Sequence, residues 1–152
     1  MQSALRNISI MAVWSTIATI GGVILLAGVT GKPLYAPIQA ISHIVFGERT
    51  YQNEKRNLLF LAVGFGLNGF AMIGWSGIAE LCFRAFGTAP GNLPTAFVVA
   101  IGVTVMAYFV DFHVVPKRLT PGFEHILSTK SLLSVYTLLA VSLLLGSLGR
   151  IS

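Results

Sequence analysis

The sequence predicts an all-α fold, an integral membrane four-helix bundle with a short interfacial or re-entrant helix between spans one and two. Three observations carry that expectation. Of the 152 residues, 55% are hydrophobic and only 10% charged, whereas soluble domains carry about 25% charged residues. Four apolar runs are long enough to cross a hydrocarbon core of about 30 Å as helices. The charged residues fall almost wholly between those runs. A backbone in lipid must find its hydrogen-bond partners within its own segment, so the runs are helices rather than isolated strands. Residues 1–152 then make one transmembrane domain.

Run one, "ISIMAVWSTIATIGGVILLAGV", covers residues 8–29. It is too long for a signal-peptide apolar region and no small-x-small cleavage site comes after it, so it reads as a retained span. Run two, "LLFLAVGFGLNGFAMIGWSGIA", covers 58–79. Run three spans 95–115 after the turn "GTAPGNLP", and run four covers 131–148. Between runs one and two, "PLYAPIQAISHIVFG" places Leu34, Ile38, Ile41, Ile44 and Val45 at helical spacing. Pro37 near the start and Gly47 at the end suit a short helix over about 37–46, lying in the interface or packing back on the bundle. The next stretch, "ERTYQNEKRN", belongs in water or among headgroups.

Seven of the ten basic residues lie on one side: Lys32, Arg49, Lys55, Arg56, Lys117, Arg118 and Lys130. Arg6, Arg84 and Arg150 lie on the other. That asymmetry predicts both basic loops in the cytoplasm and both termini outside. The net charge of +5 is spread over short loops, which suits lipid headgroups and gives no footprint for nucleic acid. Cys82 is the only cysteine, so neither a disulfide nor a cysteine-based zinc site can form.

Span two is rich in small residues. Gly66, Gly69, Ser76 and Gly77 recur with Ile73 and Glu80 along one helical face, which predicts a helix–helix packing seam, with a groove for a lipid tail or quinone as the sharper alternative. Gly21 and Gly22 of span one offer an opposing surface. Two intramembrane polar residues in span two need partners. Asn68 is expected to bond across the bundle. Glu80 stands four residues before Arg84, where an ion pair forms on one helix face; a buried Glu80 would instead suggest an ion or proton site.

On the basic side, "AISHIVFGER" and "VDFHVVPKRLTPGFEH" bring His43, Glu48, Asp111, His113 and Glu124 into two neighbouring segments. These are ordinary metal ligands and acid–base groups, and they are the candidate metal set. Asp111 and His113 are two apart on a helix and diverge, and no HExxH or paired ExxH spacing is present. A second reading treats the stretch as a helix exit. Pro116 stops span three, Lys117 and Arg118 oppose the helix dipole, Thr120-Pro121-Gly122 makes the turn, and Asp111 pairs with Arg118 or Lys117. The remaining question is whether His43 reaches Asp111. All three histidines lie at one edge, so a haem would have to be edge-lying. The sequence requires no cofactor.

These segments resemble those of a group of small four-span bacterial inner-membrane proteins that carry no established activity. The shared pattern is A-P-x-x-A-x-S-H…G-(E/D)-R after span one and V-D-(Y/F)…P-x-R-x-T-P-G-F-E after span three. Here the matching residues are Ala36, Pro37, Ala40, Ser42, His43, Gly47, Glu48 and Arg49, then Val110, Asp111, Phe112, Pro116, Arg118, Thr120, Pro121, Gly122, Phe123 and Glu124. Span two departs from the pattern, with Leu67-Asn68 near the place of a histidine pair. The resemblance implies the four-span fold and nothing about chemistry. With no catalytic signature, the expected function is that of an accessory or structural subunit that contacts lipid and packs against a protein partner or a second copy. The alternative is a small-molecule, lipid or metal-binding protein with its site on the cytoplasmic face.

Overall fold

Three of the four long helices start where a side-chain oxygen caps the free amides of the first turn. Asn57 accepts from the backbone N–H groups of Leu59 and Phe60, Asn92 from Thr95, and Ser128 from Ser131. Caps of this kind satisfy donors that have no partner within the helix. The computed structural model describes residues 2–52, 55–87 and 89–150; Thr88, within the expected turn after span two, lies outside them. Helix α1 covers Gln2–Val29, α2 Ala36–Ile41, α3 His43–Phe46, α4 Arg49–Gln52, α5 Leu58–Ala85, α6 Leu93–Phe109 and α7 Thr129–Leu148. No strand occurs among the described residues.

Helix α6 runs into a π-helical turn, Val110–Val114, closed by the Val115 N–H donating to the Val110 carbonyl at 3.0 Å. Val115 is extended, with ψ 146°, as the residue before Pro116 must be. A strap comes next, residues 116–128, containing 3₁₀ turns at Lys117–Leu119 and Phe123–His125. Helices α1 and α5 are longer than the apolar runs, extending the first span back to Gln2 and the second on to Ala85.

The four long helices close a ring, with α1 against α5 and α7, and α6 against the same two. Neighbours are antiparallel. Asn7 meets Glu80 while Thr19 meets Asn68, and Ser15 meets Ser142. The core between them joins Met72, Ala79 and Phe83 of α5, Ala96, Val99, Ala100, Val103 and Ala107 of α6, and Tyr136, Leu139 and Leu143 of α7. Outside it, Leu25, Phe70, Leu81, Phe97, Val105 and Leu133 are exposed. Such large side chains on every long helix need lipid, and all four helices are long and apolar enough to cross a membrane. The fold is a multi-pass all-α bundle.

The first connection packs back against the bundle rather than lying flat. Ser42 breaks the expected 37–46 helix into α2 and α3, and Pro37, Gln39, Ala40, Ile41, Ser42 and His43 are buried. The expected apolar stripe is only partly used, since Leu34 and Val45 are exposed. The fastening is polar. Gln39, buried against α5, donates through Nε2 to the carbonyls of Thr50 at 3.1 Å and Lys55 at 3.3 Å, and its Oε1 accepts from the Asn57 N–H at 2.9 Å. That bond set holds Thr50 in the interior, although its stretch was expected in water or among headgroups.

Close helix contacts fall on glycines other than those of the expected seam. A Cβ at Gly66, Gly69 or Gly77 would meet nothing within 4 Å, and of the four seam residues only Ser76 is fully buried. Ser76 marks the edge of that face turned to the bundle, whereas Gly66 and Ile73 point away from it. Gly22 packs against Leu138 of α7 instead of opposing α5, while Gly21 faces outward. On α5 the close approach is at Gly64, where a Cβ would collide with the Ile38 carbonyl oxygen of α2.

Gly64→Ala therefore overpacks a rigid backbone contact and should cost about 1–3 kcal/mol. Gly74→Ala, which meets open space, should leave stability unchanged or raise it slightly. Thermal unfolding of the two variants in one detergent, monitored by helical circular dichroism, checks the difference; equal midpoints would contradict the packing of α2 on α5.

Candidate functional site

Polar side chains inside the bundle concentrate at two levels. At the end away from the basic loops, Glu80 is buried and both its oxygens are engaged. Oε1 accepts from Arg84 Nε at 2.8 Å and Asn7 Nδ2 at 3.2 Å, and Oε2 accepts from Arg150 Nε at 2.9 Å. The i,i+4 pair with Arg84 is present as the spacing suggests. Arg150 and Asn7 lie 70 and 73 residues away in sequence, and no local pattern reveals them. Arg150 is itself buried, with its guanidinium 4.1 Å over the Phe83 ring. A carboxylate so fully bonded is a structural fastener holding α1, α5 and the end of the chain together.

Towards mid-bundle, Asn68 Nδ2 donates to Thr19 Oγ1 at 3.1 Å, and the Thr19 hydroxyl donates in turn to the Ser15 carbonyl at 2.7 Å. Asn68 thus bonds across the bundle to α1. Between this level and the basic end lies a recess of ≈ 300 Å³. Its walls are apolar and aromatic, including Phe70, Met72 and Trp75 of α5, Phe123 of the strap and Leu139 of α7. Its polar members are Asn68, Thr19, Asp111 and Tyr136. The rim residues Phe70, Ala71 and Leu119 are exposed, so the recess opens sideways.

The π-helical turn sets Asp111. Admitting one extra residue per turn rotates the side chains beyond it relative to the helix before, and such turns often accompany functional sites. Here Asp111 comes round to α7, where the Tyr136 hydroxyl donates to Asp111 Oδ2 at 2.6 Å. Among the described residues no lysine or arginine pairs with Asp111, so the expected bond to Arg118 or Lys117 is replaced by the phenol. His113 diverges as its spacing implies, stacking on Phe109 with ring centroids 5.1 Å apart and remaining exposed.

The strap divides this recess from a second pocket of ≈ 730 Å³ at the basic end. Leu119, Pro121 and Phe123 line the recess, while Lys117, Arg118, Thr120, Glu124 and His125 line the pocket. His43 and Glu48 also face that pocket. The junction is tight at Gly122, whose φ is +88°. A Cβ there would stand 2.5 Å from the Ala40 carbonyl and 2.6 Å from His43 Nδ1. His43 Nδ1 lies 3.0 Å from the Ala40 carbonyl; a carbonyl only accepts, so Nδ1 carries the proton.

The candidate residues therefore separate. His43, Glu48 and Glu124 share the polar pocket with His125, whereas Asp111 lines the recess across the strap and His113 faces out. His43 does not meet Asp111 at a common site. Among the described residues no three His, Cys, Asp or Glu side chains stand close enough to hold a metal ion. Tyr136 is the member that sequence reasoning missed. Its signal was a hydroxyl within an apolar run, which needs a partner when buried. No protein-family model, curated protein or solved structure matches the chain.

Glu80→Gln removes the countercharge of a buried arginine and should destabilise the bundle by about 3–5 kcal/mol. Arg84→Ala, at a side chain nearly half exposed, should cost no more than about 1 kcal/mol. Denaturant unfolding in mixed micelles separates the two; similar small losses would mean that Arg150 does not depend on Glu80.

Proposed function

We propose that the chain is a non-catalytic subunit of the bacterial inner membrane, packing into a larger membrane complex or against a second copy of itself, with the basic loops in the cytoplasm and both termini outside. The carrying observation is the unpartnered face of α5. Gly66, Ile73 and Gly77 line up along it, the glycines meet nothing within 4 Å, and Ile73 is exposed. Inside lipid, apolar side chains gain nothing by leaving the solvent, so helix association depends on close backbone approach at small residues. The chain supplies such a face and leaves it uncovered.

A second reading, a small-molecule-binding membrane protein, is favoured by the recess alone. Its polar members include a carboxylate for which the described residues supply no cation, and intramembrane ionisable groups commonly mark ligand or ion sites. The polar pocket with His43, Glu48 and Glu124 is the companion surface at the basic end.

Association is tested in native-lipid nanodiscs by native mass spectrometry. The wild type is expected at a mass above one chain, and the pair Gly66→Leu and Gly77→Leu is expected to return it to one chain with unchanged helix content. A wild type that is monomeric without companions, or an assembly indifferent to both leucines, would end the proposal.

A further inference from the structure

We infer that the lateral recess binds a lipophilic cation, a protonated or quaternary amine carried on an apolar or aromatic body, with Asp111 as its counter-ion. The inference rests on the small-molecule-binding reading of the recess and adds the charge class of the ligand.

Three observations converge. The first is the hydrogen-bonding character of the recess. The Tyr136 hydroxyl already donates to Asp111, Asn68 donates to Thr19, and Thr19 donates to the Ser15 carbonyl. What is left to the cavity is mainly acceptor capacity, led by the Asp111 carboxylate that lines it. The second is charge. Glu80, the other acidic residue within a span, holds two arginines. Asp111 holds none among the described residues, and Lys117 and Arg118 line the opposite side of the strap. The third is the wall. Phe70, Trp75, Phe123 and Tyr136 surround the cavity, and the faces of aromatic rings attract desolvated cations. An anion would meet a carboxylate here. A neutral hydrocarbon would leave the carboxylate without a countercharge in an apolar site. Only a cation with an apolar body satisfies both the wall and the floor. At ≈ 300 Å³ the recess stands at the small end of the range of ligand pockets, about 300–1,000 Å³, which favours a single-ring body over a two-tailed lipid.

Trp75 supplies the readout. In a Trp14→Phe background it is the only tryptophan, and its fluorescence is recorded in nanodiscs during titration with benzyltrimethylammonium and, separately, with its uncharged carbon isostere, neopentylbenzene. The cation is expected to saturate the signal at a concentration at least tenfold below the isostere. Asp111→Asn is expected to weaken the cation at least tenfold and leave the isostere unchanged. If both probes bind alike, or if Asp111→Asn leaves the cation's affinity intact, the cation assignment is overturned while the recess remains a binding site. If neither probe saturates, the assignment and the binding reading fall together. The comparison of the two probes on the Trp14→Phe protein needs no Asp111 variant, so it decides even if Asp111→Asn does not fold.

Discussion

Glu80 is held by Asn7 from the first helix, Arg84 from its own helix and Arg150 from the far end of the chain. In a bilayer such a set behaves unlike a surface ion pair. Glu80 and Arg150, both buried, have no water to return to if the other leaves, so that pair is satisfied together or lost together, while the half-exposed Arg84 adds less. The same constraint operates at each level below. Ser15 bonds Ser142, Thr19 bonds Asn68, and Gln39 uses both ends of its amide to fasten the first connection. Apolar packing in lipid does not choose one helix arrangement over another as burial from water would. Polar pairs and glycine contacts do the choosing. The ring order of the four helices is set by which of them carry matching partners at matching depth.

That logic accounts for the two faces of α5. Gly64 and Asn68 lie on the side turned to the protein, where one admits the α2 backbone and the other reaches Thr19. Gly66, Gly69 and Gly77 lie round from that side, and a Cβ added at any of them would meet nothing within 4 Å among the described residues. Composition alone marks span two as a packing helix. It cannot say which glycines pack internally, because glycine has no side chain to bias a face; Asn68 and Met72 mark the inward side, and Glu80, on the glycine face in sequence, is buried at its edge.

The fold class, the existence of four spans and the proline stop at Pro116 were legible because each has a local cause: apolar run length, proline geometry and turn residues. The partners of Asn68 and Glu80 were legible in kind and only partly in identity. Arg84 sits one helical turn from Glu80 and is visible in sequence, whereas Arg150 reaches it only through the fold. The pairing of Asp111 failed for a related reason. Lys117 and Arg118 are near in sequence but stand beyond the proline on a strap that faces the other pocket, and Tyr136 is near only in space. The two basic-side segments were expected to be neighbours; the pocket between them, which no local pattern reveals, gathers His43, Glu48 and Glu124, while the strap keeps Asp111 apart from them.

The strap's alternation reaches further than the site. Leu119, Pro121 and Phe123 turn one way and Arg118, Thr120 and Glu124 the other, so this short segment behaves as a two-sided partition. Its thickness is a single backbone. A carboxylate facing oil and a cluster of charges facing the basic end are therefore separated by one strand of peptide, pinned at Gly122. The partition has no spare layer: shifting it by one residue would exchange the character of both chambers at once, so the two compartments must be inherited, altered or lost as a pair.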